Sequence, residues 1–145
     1  MYLSPNFTVA EMTVSQEAVR RGILNNPTQE HISNLQKLCN DILEPLRARI
    51  GRPIVVTSGF RSPAVNQFVG GSKTSDHMKG CAADILVPGV RPMEVCQIIA
   101  TMNLPFKQCI NEFHTWTHVS IGEPKREILT ATKVGGKTIY TKGLT

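Results

Sequence analysis

Ser75-Asp76-His77-Met78-Lys79-Gly80-Cys81-Ala82-Ala83-Asp84 is the stretch on which the reading of this chain turns. Its second half opens an apolar run, Ala82 to Val87, that reads as a β-strand. Gly80, Ala82 and Ala83 put little bulk between His77 and Asp84, so the chain can turn tightly and bring both side chains to one point. Downstream, Trp116-Thr117-His118 supplies a second histidine beside the core candidates Val119 and Ile121. Two imidazoles and one carboxylate can hold zinc and leave a fourth position for water. They suit zinc better than magnesium or calcium. An open position on the metal is what metal-assisted hydrolysis needs. Spacing alone leaves a second reading open, because a histidine among apolar residues is more often a packed core group than a ligand.

Working outward, Pro53 to Thr57 is rich in β-branched residues and reads as the strand upstream. Residues 58 to 76 read as a long polar loop, and loops of that length in compact domains are often functional. Thr8-Val9-Ala10-Glu11 has the form of a capping box and predicts a short helix to about Arg21, stopped by Gly22. Thr28 can cap a second helix, about 20 residues long, whose core face is Ile32, Leu35, Leu38, Ile42, Leu43 and Leu46. Pro45 predicts a kink or break near its end. Pro92 to Met102 reads as a helix with proline in its first turn. Lys107 to Glu112 and Trp116 to Ile121 predict a hairpin around His114-Thr115. Ile128 to Thr132 and Lys137 to Tyr140 predict a weaker pair around Gly135-Gly136. The fold class expected is α+β: N-terminal helices packed on a mostly antiparallel sheet, with the zinc site at the sheet.

The chain has 145 residues, which fits one domain over residues 1–145. Hydrophobic residues make up 41% and charged residues 19%, which excludes global disorder. No apolar run nears the roughly 20 residues of a membrane span. The N-terminus lacks a basic region followed by an apolar one, so a secretory signal is not expected. Synthesis in the cytoplasm follows as the expectation, with access to any target outside the cell by another route. The net charge of +5 favours polyanions, but the lysines and arginines are scattered. No aromatic-plus-basic cluster points to nucleic acid. The four cysteines, Cys39, Cys81, Cys96 and Cys109, form no C-x-x-C pair and read as buried free thiols.

The pattern Ser-x-His-x-x-Gly-x-Ala-x-Asp at 75 to 84, followed by Trp-x-His at 116 to 118, resembles the zinc D-alanyl-D-alanine carboxypeptidase family. That family includes the L-alanyl-D-glutamate endopeptidases of phage endolysins. Ser58-Gly59-Phe60-Arg61-Ser62-Pro63, Asn66 and Gly70-Gly71-Ser72 match its upstream motif. The matched motifs span residues 57 to 121, and Phe7 to Pro27 resembles the N-terminal segment of its single-domain members. The resemblance implies one Zn2+ held by His77, Asp84 and His118, with Arg61 in contact with substrate. It implies cleavage of peptidoglycan peptides, of carboxypeptidase or endopeptidase type; with no secretory signal expected, a phage or prophage lysin fits, and so does a cytoplasmic dipeptidase-like enzyme.

The proton acceptor is where this chain departs from the family. Many members carry Asp or Glu three residues before the last histidine, and others a histidine two before it; here those positions are Thr115 and Trp116. Neither takes a proton from water at neutral pH. Glu112 is the first substitute, provided the hairpin places it on the face of His118, and single-domain members often carry Glu in this place. His114 is the second, on the hairpin tip. If neither serves, the chain is a non-catalytic zinc-containing module for wall binding or phage structure. Arg61 offers a planar fork to a substrate carboxylate or oxyanion, or else forms a loop salt bridge. Ser75 orients His77 or is an ordinary turn residue. Trp116 lines the substrate cleft or packs beside it.

Overall fold

The computed structural model describes residues 1–145. The chain enters through a small hairpin absent from the sequence expectations, β1 (Tyr2–Ser4) and β2 (Phe7–Thr8), which buries Leu3 and Phe7. Thr8 then closes the capping box as its motif predicts: its hydroxyl accepts from the Glu11 N–H at 3.1 Å, and the Glu11 carboxylate accepts from the Thr8 N–H at 3.2 Å. The helix expected to run to Arg21 is two helices, α1 (Val9–Thr13) and α2 (Gln16–Arg21). Val14 is extended, at φ −66° and ψ 136°, and Ser15 caps a fresh start by accepting from the Ala18 N–H. Competing caps decide the break: Ser15 offers its side chain to free N–H groups that a continuous helix would have paired internally.

Thr28 caps α3 (Gln29–Leu38), which leads through a π turn at Cys39–Leu43 into α4 (Glu44–Ile50). The expected kink or break takes the form of this widened turn. Pro45 has no N–H for the carbonyl four residues back, and its ring crowds that carbonyl. An extra residue in the turn just before it removes the conflict. The turn keeps Leu38, Cys39, Ile42, Leu43 and Leu46 on one fully buried face.

The remaining strands form one sheet: β3 (Val55–Ser58), β4 (Ala82–Leu86), β5 (Gln108–Glu112), β6 (Trp116–Ser120), β7 (Glu127–Val134) and β8 (Lys137–Lys142). Their order is β3-β4-β6-β5-β7-β8, and every neighbouring pair is antiparallel except β5 with β7. The fold is therefore α+β with a mostly antiparallel sheet. The segment 58 to 76 is not wholly loop, because Ser62 caps a short helix, α5 (Pro63–Phe68), with proline in its first turn. The last helix, α6 (Pro92–Thr101), lies against β5 and β6.

Alternation along the strands gives the sheet two unlike faces. Val56, Ala83, Ile85, Cys109 and Val119 point into the main core, with the π turn and α3, α4 and α6 behind them. The opposite, open face carries Ser58, Asp84, His118, Ile110 and Glu112. All four cysteines are free, and Cys39, Cys96 and Cys109 are buried. No helix is long and apolar enough to cross a membrane.

Candidate metal centre

Strand register brings the two distant halves of the motif together. Asp84 pairs directly with His118 across β4 and β6, and Ser58 pairs with Asp84 from β3. Directly paired residues share a face, so the 34 residues between Asp84 and His118 collapse to one strand spacing. His77 arrives from outside the sheet, on a single 3₁₀ turn, Asp76–Lys79. The Ser75 hydroxyl caps this turn by accepting from the His77 N–H at 3.2 Å. Gly80 ends it at φ 76° and lies so close to the His31 carbonyl that a Cβ there would stand 2.7 Å from its oxygen. The turn thus fixes the backbone of a histidine that is 2% exposed.

The chemistry of the three side chains follows from their hydrogen bonds. His77 Nδ1 lies 2.8 Å from the Gly59 carbonyl oxygen. A carbonyl only accepts, so Nδ1 carries the proton and Nε2 presents a lone pair. That Nε2 is buried and has no hydrogen-bond partner. It faces Asp84 Oδ1 at 3.3 Å, and His118 Nδ1 faces the same oxygen at 3.0 Å. Burial pushes the His77 pKa down, which favours the neutral imidazole. Burial would raise the Asp84 pKa, but the hydrogen bond from His118 and the closeness of both imidazoles outweigh it and hold the carboxyl well below the usual range. An imidazole lone pair aimed at a carboxylate oxygen is repulsive unless a cation stands between them. Ligand atoms about 2.0–2.1 Å from a tetrahedral zinc lie about 3.3 Å from one another. The donor set and its spacings therefore fit zinc, and His77, Asp84 and His118 could hold a metal ion.

Arg61 holds the other side of the carboxylate. Its Nη2 stands 3.6 Å from Asp84 Oδ2, while Nε donates to Ser58 Oγ at 3.1 Å and Nη1 to Asn66 Oδ1 at 3.0 Å. Buried Asn66 is itself fixed by donating to the Ser72 carbonyl at 2.8 Å. Gly71 makes room for this chain of contacts, since a Cβ there would run into Asn66 and stand 2.7 Å from Arg61 Nη1. The salt bridge weighed for Arg61 thus exists, but its partner is the candidate ligand Asp84 and not a loop acid. Burial lowers the Arg61 pKa, and the charges of Asp84 and Glu112 pull it back up.

The hairpin register differs from the pairing that would set residue 112 directly opposite residue 118. Ile110 pairs with His118, and Glu112 with Trp116. A shift of two residues keeps the face, so Glu112 stands diagonal to His118 on the open side. The connecting loop has three residues, with Phe113 and His114 both left-handed at φ 57° and 56°. Burial pushes the Glu112 pKa up, the more so for the negative charge of Asp84, against the pull of His118 and Arg61. His114 turns the other way. Its Nδ1 accepts from Asn111 Nδ2 at 3.2 Å, and Asn111 pairs with Thr117 on the opposite face of the sheet. The Thr115 hydroxyl donates back to the Glu112 carbonyl at 2.8 Å and closes the loop.

Trp116 lines a cleft of about 370 Å³ together with Ser58, Arg61 and Asp84. Its indole N–H is without a partner. The far wall of this cleft is the break between α1 and α2, Val14 to Glu17, where the sequence predicts one continuous helix and marks no site. The Gly59 carbonyl also went unforeseen, since a backbone acceptor leaves no mark on residue type.

A His-Asp-His cluster on an α+β sheet, two of its members buried and His118 partly so, with a carboxylate and a guanidinium beside it, has the makings of a metal-dependent hydrolase. A family model described as Peptidase M15 matches residues 5–120. The chain belongs to that peptidase family, the zinc-dependent D-alanyl-D-alanine carboxypeptidase-like enzymes. No curated protein sequence matches it.

Proposed function

We propose that the protein is a zinc metallopeptidase that hydrolyses D-amino-acid-containing peptides of bacterial peptidoglycan. The observation that carries this reading is the convergence of His77 Nε2, His118 Nδ1 and Asp84 Oδ1 on the sheet face that also bears Glu112. One bound Zn2+ would lower the pKa of its water toward neutrality and polarise the scissile carbonyl. Glu112 takes the proton of the attacking water and returns it to the leaving amine; its raised pKa suits both transfers. Arg61, locked by Ser58 and Asn66, presents its remaining donors to a substrate carboxylate or to the oxyanion. Asp84 is oriented by Arg61, and His77 by the Gly59 carbonyl, as outer contacts of a metal site do. Ser75 acts through the turn that holds His77, and Trp116 contacts substrate from the cleft wall.

The biological setting we propose is a phage or prophage lysin acting on the wall, where its net charge of +5 favours anionic wall polymers. Its substrate contacts involve neither nucleic acid nor membrane. Purified peptidoglycan fragments, incubated with the zinc-loaded protein and with its His118→Ala and Glu112→Gln variants, test the reading. Zinc-dependent release of a peptide product by the wild type alone is expected. Fragment binding without turnover in every protein would make the chain a non-catalytic zinc-containing module instead.

A further inference from the structure

Residues 121–145 lie outside the stretch matched by the family, yet they build two of the six strands of the sheet. They continue the open face beyond Glu112. Register places Trp116, Glu112, Ala131 and Tyr140 side by side in one row across β6, β5, β7 and β8. Two strand spacings separate Glu112 from Tyr140, about 10 Å between backbones. The residue between them is alanine. Its methyl is fully buried although it points to the open side, so neighbouring side chains close over it. Phe113 is one of these; it packs on Ile110, Leu129 and Ala131, meets Trp116 edge-on at 5.7 Å, and its N–H donates to the Ala131 carbonyl at 3.0 Å.

Tyr140 stands on the other side of Ala131. It is 55% exposed on the edge strand, so its ring is open to pack against a bound molecule while its hydroxyl keeps a polar handle. Register sends its side chain to the face that carries Glu112, and partial burial raises its pKa, with the negative charges of Glu112 and Asp84 raising it further. The phenol therefore stays protonated at neutral pH and donates. Arg61 and the α1–α2 break bound the site on the β3 side, so Tyr140 bounds it on the opposite side.

We infer that Tyr140 is a substrate-contact residue, whose ring and hydroxyl hold the peptide segment lying beyond the scissile bond from Arg61. The inference rests on the peptidase reading above. The ring packs on that segment, and the hydroxyl donates to one of its carbonyl oxygens. A substrate that extends in both directions from the cleaved bond uses this contact; one that ends near Glu112 does not.

Steady-state cleavage of purified disaccharide-pentapeptide by the zinc-loaded protein tests it, with Tyr140→Phe, Tyr140→Ala and the control Ile139→Ala, whose side chain sits on the opposite face of β8. Loss of one neutral hydrogen bond raises KM about 2–10-fold in Tyr140→Phe. Tyr140→Ala raises it further, while kcat stays within about twofold and Ile139→Ala matches the wild type. Trp116 is the chain's single tryptophan, so its fluorescence reports fragment affinity in each protein on a Glu112→Gln background. Unchanged KM and affinity in Tyr140→Ala, with an active wild type, overturn the contact. A fall in kcat alone overturns it too. A wild type that cleaves no fragment overturns the peptidase reading and this inference together.

Discussion

Arg61 and His118 grip opposite oxygens of the same carboxylate: Nη2 of Arg61 is 3.6 Å from Asp84 Oδ2, and Nδ1 of His118 is 3.0 Å from Asp84 Oδ1. The guanidinium thus fixes which oxygen faces the two histidines. Removing such an outer contact lowers metal affinity about 10–100-fold. Arg61→Ala is expected to lose zinc to a chelator at correspondingly lower concentration. Arg61→Lys, which keeps the charge but not the fork, recovers only part of this. Competition with a colorimetric chelator measures both, and wild-type affinity in Arg61→Ala would exclude the orienting role.

Glu112 separates catalysis from stability. Glu112→Gln is expected to lower kcat about 10²–10⁴-fold while zinc content stays at the wild-type level. The same substitution stabilises the metal-free protein at pH 7. Burial raises the Glu112 pKa above its unfolded value. Its contribution is therefore intact below the ordinary carboxylate pKa of about 4.3 and is lost as pH rises through the folded value. The melting temperature of Glu112→Gln should exceed that of the wild type at pH 7 and converge with it near pH 4. Equal melting temperatures at every pH contradict this.

Glu44 carries the opposite sign. It is partly desolvated, which alone would raise its pKa, but hydrogen bonds from Asn6 at 2.7 Å and Ser4 at 2.6 Å bring it below the usual range. Glu44 therefore ties the N-terminal hairpin to α4. Its stabilisation is full above the ordinary carboxylate pKa and disappears as pH falls through the lowered folded value. Glu44→Gln should cost about 1 kcal/mol at pH 7, and denaturant midpoints should close the gap below about pH 4.

Gly71→Ala probes the support of Arg61 without touching a charged group. The added methyl displaces Asn66 and Arg61. Overpacking of this kind costs about 1–3 kcal/mol. The variant should fold, with a lower melting temperature, and lose zinc more readily than the wild type. Zinc affinity equal to wild type would show that the Asn66–Arg61 contact does not support the site.

The three metal-binding candidates were legible because each sits at a fixed place in a short motif, and strand parity could be read from the apolar residues beside them. His118 between Thr117 and Val119 alternates cleanly, and so does Asp84 between Ala83 and Ile85. The hairpin register was not legible. It depends on Phe113 and His114 adopting left-handed conformations that bulky residues rarely take and that no glycine announces. Only the even shift of two residues kept Glu112 on the right face. The split between α1 and α2 was hidden for a similar reason. Val14 and Ser15 fit a helical window, and the competition between two good caps is settled by what each packs against. Pro45 announces a disturbance in the helix, but its resolution as a π turn depends on keeping Leu43 and Leu46 in the core, a demand of tertiary packing.

The single parallel pairing of β5 with β7 is the seam along which the last two strands are sewn to the rest of the sheet. None of His77, Asp84, His118 or Arg61 lies beyond it. Exchange of β7 and β8 therefore leaves the candidate metal ligands in place, and on the proposed reading it offers a route to altered substrate preference.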